Sequence, residues 1–146
     1  MLETCVALLK SRPLPCSWLH GDFQPTNIIA SNNSICGLDI AFSTDGVVLL
    51  DLVHFVNFVE RFSKMPKGFH LLPNIDEISR TLKEAYFEGT EESMRLAVLW
   101  FQILDNIAFL TRYFRPTKSS LHRTYLVMTV EASIKKCLRS LDQLET

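Results

Sequence analysis

No two cysteines in this sequence stand at redox or metal-ligating spacing. Cys5, Cys16, Cys36 and Cys137 are scattered, with no C-x-x-C pair and no histidine near enough to complete a ligand set. A zinc centre and a thiol redox motif are thereby excluded, and reduced, buried thiols are expected. Neither sign of charge dominates: 15 Lys and Arg face 16 Asp and Glu, without a long run of either. The electrostatic footprint of a nucleic-acid binder is therefore missing. Also missing are a basic-then-apolar leader and an apolar run approaching the roughly 20 residues that cross a bilayer. No nucleic-acid or membrane partner is expected, and a cytoplasmic location follows by default.

What is present is an apolar share of 47%, enough to build a core and to exclude disorder as the expectation. A chain of 146 residues fits a single domain, spanning 1–146, and no internal repeat or low-complexity tract divides it. Apolar residues at Leu2, Cys5, Val6, Leu8 and Leu9 predict a short helix over 2–10, stopped by Pro13 and Pro15. A brief strand over 17–19 then enters a polar loop from His20 to Thr26. Two apolar runs, 28–30 and 35–42, flank Ser31-Asn32-Asn33-Ser34 and predict a hairpin, since paired asparagines tolerate the left-handed backbone of tight turns. Asn27 and Asp39 then fall near the open ends of that hairpin.

The second half reads as helical. The stretch 47–62 is apolar on nearly every face, as in a buried helix, and Asp51 sits in it among Leu49, Leu50, Leu52 and Val53. A carboxylate in that company costs several kcal/mol, on the order of an unpaired buried polar group, so Asp51 needs hydrogen-bond donors. A connector over 64–73 precedes a helix capped by Asn74 with Glu77 and ended by Gly89. A longer helix over 91–115 stops at Pro116, and the last starts at Ser119 or Ser120.

The residues that carry chemistry lie in Trp18-Leu19-His20-Gly21-Asp22-Phe23-Gln24-Pro25-Thr26-Asn27, followed by Cys36-Gly37-Leu38-Asp39-Ile40. An apolar lead-in, a His, an Asp, an Asn five residues later and a second Asp on an apolar strand is how kinase-type phosphoryl-transfer sites distribute their polar groups. Phosphoryl transfer asks the protein to neutralise phosphate charge, hold a metal and place a hydroxyl in line, which oxygen and amide ligands do. Asp39 is hard to explain by structure alone, because a strand interior disfavours Asp.

Over about 14–56 the chain resembles the aminoglycoside phosphotransferase family of small-molecule kinases, whose catalytic loop reads HGD-x-x-x-x-N. The resemblance implies an α+β, mainly helical fold: the C-terminal lobe of a protein-kinase-like fold, with a short β-hairpin carrying the catalytic and metal loops. It implies Asp22 as the catalytic group that faces the acceptor hydroxyl, Asn27 and Asp39 as ligands of Mg2+, and either ATP or GTP as phosphoryl donor. It gives His20 a structural role in bracing the loop. Asp51, twelve residues after Asp39 and followed by Leu52, matches the family's Asp-Leu pair and is expected to receive loop N–H groups or to cap its own helix.

Two features depart from the family pattern. Ile40 and Ala41 follow Asp39 where relatives place an aromatic and an acidic residue, and Asp45-Gly46-Val47-Val48 replaces a Gly/Pro-rich span. A larger departure is the lack, before His20, of a Gly-rich phosphate loop, its lysine and the Glu partner; Lys10 falls in a predicted helix. The expectation is thus a catalytic lobe without its nucleotide lobe, with nucleotide-binding residues unknown, a small-molecule hydroxyl as substrate, and an exposed cleft open to self-association or a partner. The rival expectation is a non-catalytic ligand- or protein-binding remnant. Bland readings stand beside these: Asp22 and Asn27 as turn residues, His54, His70 and His122 as core or surface histidines, and Trp100, Phe101, Phe109, Tyr113 and Phe114 as packing aromatics. Asp105 and Asn106 are polar in an apolar helix, either facing a cleft or bonded within it.

Overall fold

The computed structural model describes residues 13–64, 75–87, 92–113 and 120–144. Among them the chain forms an α+β fold with four α-helices and two small antiparallel sheets. Strand β1 (Cys16–Leu19) pairs with β4 (Thr44–Val47), Cys16 opposite Val47 and Leu19 opposite Thr44. Between them in sequence, β2 (Ile28–Ser31) pairs with β3 (Ser34–Gly37). One hairpin is thus nested inside the chain that links the strands of the other pair, and its open end joins the 20–27 loop to the 38–43 turn.

The helices follow: α1 (Leu49–Ser63), α2 (Ile75–Phe87), α3 (Glu92–Tyr113) and α4 (Ser120–Leu144). Leu49, Leu52, Val53 and Val56 recur at three- and four-residue steps on α1, so they share one face. That face packs on Ala97 and Val98 of α3, with Leu82 and Tyr86 of α2 and Leu14 and Val47 beside them. A second cluster joins α3 to α4 through Ile103, Cys137 and Leu141, flanked by Trp100, Ile134 and Leu138. Helix α3 therefore lies between α1 and α4. By length and composition its segment Met94–Arg112, 19 residues of mean hydropathy 1.3, could cross a membrane. Here it packs on both neighbours, and its buried Gln102 and Asn106 hydrogen-bond across those contacts.

Several sequence expectations are corrected. The second hairpin strand ends at Gly37 rather than reaching residue 42, because Asp39 turns into the left-handed region (φ 57°, ψ 61°) and 40–42 form a 3-10 turn. Asp39 is thus not a strand residue; Asp tolerates this conformation better than most. Conversely Asn32 and Asn33 do not adopt positive φ, so the Ser31–Ser34 hairpin turns without the left-handed pair. Cys16 and Cys36 are exposed, since their two-stranded sheets are not covered by helices at those positions; only Cys137 among the described cysteines is buried. Helix α1 is not buried on every side either: Leu50 is exposed. The predicted helix over 2–10, the connector from residue 65 onward, the Asn74 cap and the stops at Gly89 and Pro116 lie outside the described residues.

Candidate functional site

Strand β1 ends on the buried Leu19 and delivers His20 into the loop. The backbone N–H groups of His20 and Gly21 donate to the two carboxylate oxygens of Asp51, at 2.7 and 3.1 Å. Asp51 lies in the first turn of α1, where helix-dipole attraction also favours a negative charge. Its donors come from the loop, and no side chain caps α1. Gly21 has φ +82°, and a β-carbon there would collide with the backbone carbonyl of Phe42. Glycine is therefore required where the loop crosses the 40–42 turn.

The His20 ring points the other way. Its Nε2 lies 2.7 Å from the carbonyl oxygen of Leu38, which can only accept, so Nε2 carries the hydrogen. A β-carbon on Gly37 would sit 3.1 Å from this ring, so the glycine leaves room for it. The N–H of Leu38 donates at 2.7 Å to the carbonyl of Asn27. Both backbone polar groups of Leu38 are thus tied to the loop, and Asp39 is carried to its edge.

Asn27 closes the loop on Asp22. Its Nδ2 donates to the Asp22 carbonyl at 3.0 Å and to Asp22 Oδ2 at 2.9 Å, while Gln24 Nε2 donates to the same Oδ2 at 2.9 Å. The 3-10 turn Pro25–Asn27, with Pro preset for helical φ, brings the amide back to the carboxylate. With Nδ2 committed, the free ligand atom of Asn27 is Oδ1, a hard oxygen, and the exposed carboxylate of Asp39 is the next one along the chain. No group of three His, Cys, Asp or Glu side chains suited to a metal occurs among the described residues. Two protein oxygens with waters completing the shell is the pattern that suits Mg2+, which dehydrates reluctantly.

Sequence reasoning missed one member of the site. The sequence marks His54 only as a core or surface histidine, yet its Nε2 lies 3.4 Å from Asp22 Oδ1 and its Nδ1 lies 2.9 Å from Asp105 Oδ1. The available signal was periodicity: His54 is three residues after Asp51, so both project from one face of α1 toward the loop. Asp105 also accepts from Asn57 Nδ2 at 2.9 Å and from Arg61 Nη1 at 3.1 Å. Burial raises the Asp105 carboxyl, but hydrogen bonds from His54 and Asn57 and the Arg61 charge outweigh it and hold the group below its ordinary range. Arg61 in turn donates to Asn106 Oδ1 at 3.0 Å and lies over the Phe109 ring at 4.1 Å. Asn106 reaches Ser133 on α4. Asp105 and Asn106 are therefore hydrogen-bonded inside the helix layer, and Phe109 packs under a cation.

A separate cleft of about 1180 Å³ opens between α2, α3 and α4, lined by Glu60, Ser79, Lys83, Arg95, Gln102 and Lys136 among others. Glu60 is nine residues beyond Asp51 on α1, about 13 Å along the axis, so this cleft is remote from the loop. Ser79 Oγ donates to Glu60 Oε1 at 3.2 Å, and Lys83 and Lys136 lie 3.6 and 4.0 Å from the same oxygen.

Against protein-family descriptions, curated proteins and solved structures, the chain gives no match.

Proposed function

We propose that this chain is the catalytic lobe of an aminoglycoside-phosphotransferase-like enzyme, transferring the γ-phosphoryl group of ATP or GTP to a small-molecule hydroxyl in the cytoplasm. The observation that carries the reading is the convergence of three separated residues: Asn27 bonds Asp22 through its amide and holds Leu38, hence Asp39, through its carbonyl. Turn formation alone accounts for Asp22 and Asn27 and for the left-handed backbone of Asp39; what supports the reading is that the Leu38 bond to Asn27 carries this second Asp to the edge of the same loop.

In this reading Asp22 accepts the hydrogen bond of the acceptor hydroxyl and aims its oxygen at the γ-phosphorus. The new P–O bond forms as the bond to the nucleoside diphosphate oxygen breaks, and the hydroxyl proton passes to Asp22. In a loose transition state the hydroxyl acidifies late, so orientation is the larger part of the work of Asp22. Asn27 Oδ1 and the Asp39 carboxylate would hold Mg2+, which neutralises phosphate charge. His20 and Asp51 stiffen the loop. No Gly-rich loop stands before His20, and the lysine there, Lys10, does not follow one, so this reading takes its nucleotide clamp from outside the residues named here, and this chain alone turns over slowly at best.

One observation favours the second reading, a non-catalytic binding lobe. Trp18, Ile29, Ile35, Leu38, Ile40 and Phe42 are exposed on the strands and turns around the loop, and Leu50 is exposed at the start of α1. Apolar surface on that scale marks a docking face for another lobe, a partner or a second copy. Titration with Mn2+ in place of Mg2+ separates the readings. Paramagnetic broadening confined to the Asn27 and Asp39 region, abolished by Asp39→Ala, is expected, together with nucleotide consumption that Asp22→Asn removes once a nucleotide lobe is joined. No broadening there and no consumption would leave the binding lobe as the surviving reading.

A further inference from the structure

The most completely built polar assembly outside the loop is the column that runs from Asp22 through His54 and Asp105 to Arg61. We infer that His54 is a positioning residue for Asp22: anchored by Asp105, its imidazole holds the Asp22 carboxylate in the orientation that meets a substrate hydroxyl. The inference rests on the reading of Asp22 as hydroxyl acceptor.

The two oxygens of Asp22 are approached from two different sources. Oδ2 receives Gln24 and Asn27, both from its own loop. Oδ1 is met by His54 from α1 at 3.4 Å, an ion-pair contact that attracts when both ring nitrogens carry hydrogen, since the carboxylates of Asp22 and Asp105 on either side can only accept. A loop carboxylate held only by its own loop moves with it; one also held from a core helix takes its direction from the core. The His54 ring is not free to follow the loop, because Nδ1 is 2.9 Å from Asp105 Oδ1. Nor is Asp105 free: Asn57 and Arg61 donate to its other oxygen. Arg61 is 3% exposed and tied to Asn106, and Asn57 is fully buried and bonded to the Gln102 carbonyl. The column is thus rooted in the packed contact of α1 with α3. Its length transmits the geometry of that contact to one oxygen atom on the loop, and misplacing a reacting group by about 1 Å can cost a hundredfold in rate.

The titratable and charged groups around His54 in these contacts are Asp22, Asp105 and, behind Asp105, Arg61. A packing role for the histidine would need none of them. The test uses the full chain, isotope-labelled, with the Asp22 carboxyl carbon and the His54 ring nitrogens observed by NMR at one fixed pH. Asp105→Asn is expected to shift both the His54 nitrogens and the Asp22 carboxyl signal, although Asp22 and Asp105 are on separate elements. His54→Gln is the second variant, leaving Arg61 paired with Asp105 should Asp105→Asn fail to fold, and it is expected to shift the Asp22 signal while Mn2+ broadening at Asn27 and Asp39 persists. An unmoved Asp22 carboxyl in folded His54→Gln overturns the positioning role alone. Loss of Mn2+ broadening in that variant would instead make His54 a general brace of the loop and overturn it too. Absence of broadening in the wild-type chain removes the phosphotransfer reading, and the role of His54 with it, whatever the variants show.

Discussion

At the scale of single residues, the loop depends on Asp51 more than on any side chain within it. Two backbone N–H groups that point away from any strand partner end on its carboxylate. Replacing it by alanine leaves both donors without their acceptor, and hydrogen bonds to charged groups contribute about 1.5–3 kcal/mol each. Asp51→Ala is therefore expected to destabilise the chain by roughly 2–3 kcal/mol, the part-exposed loop recovering some donors to water. Hydrogen exchange should accelerate at His20 and Gly21 first; unchanged protection there would contradict the assignment. The need of Asp51 for donors was legible from its apolar neighbours; that they come from the loop rather than from its own helix start is decided by the structure. The need for glycine at 21 was not legible, since the Phe42 carbonyl that excludes a side chain comes from a turn the sequence did not announce.

At the scale of elements, α1 couples the site to the core. Its faces divide the labour: Leu49, Leu52, Val53 and Val56 enter the apolar cluster, while Asp51 and His54 address the loop. Leu49 is fully buried at the first turn, two residues before Asp51. Leu49→Ala should cost about 2–5 kcal/mol, as other buried Leu→Ala changes do, measured by denaturant unfolding. A loss below the range would mean that the helix start relaxes into the space. A continuous apolar stretch located this helix, and helix capping, stop signals and hydrophobic spacing located the three after it, because these are local properties of sequence. Strand ends were less legible: β3 stops at Gly37 because Asp39 goes left-handed, which Asp tolerates and which the Leu38 hydrogen bonds to Asn27 and His20 accompany.

At the scale of the whole molecule, one column of polar groups crosses the packed helices from loop to α4, through Asp22, His54, Asp105, Arg61, Asn106 and Ser133. Its charged keystone gives the fold a pH dependence of definite sign. The Asp105 carboxyl is held below its unfolded value, so it binds fewer protons folded than unfolded. Its contribution is complete above about pH 4 and is lost as pH falls through the lower folded value. Acid unfolding of the wild type should therefore carry a component from Asp105. In Asp105→Asn the stability deficit at neutral pH should narrow as the medium is acidified below about pH 4; a deficit independent of pH would refute the assignment. The exposed apolar surface around the loop belongs to this scale too, since no residue or element by itself shows that six or more such side chains share one end.

What the sequence determined by itself is what is encoded over short distances. Helical periodicity, the turn residues of the loop and the Asp22, Asn27, Asp39 and Asp51 spacing all lie within one local stretch or its immediate neighbours. What the tertiary structure decided is everything that required two distant segments to meet: Asp105 of α3 beneath His54 of α1, Arg61 between Asp105 and Asn106, the Phe42 carbonyl over Gly21. Those contacts span tens of residues, so their pairing is set by how the helices and strands pack. An apolar period specifies which face is buried, but not which polar group on another helix that face will meet.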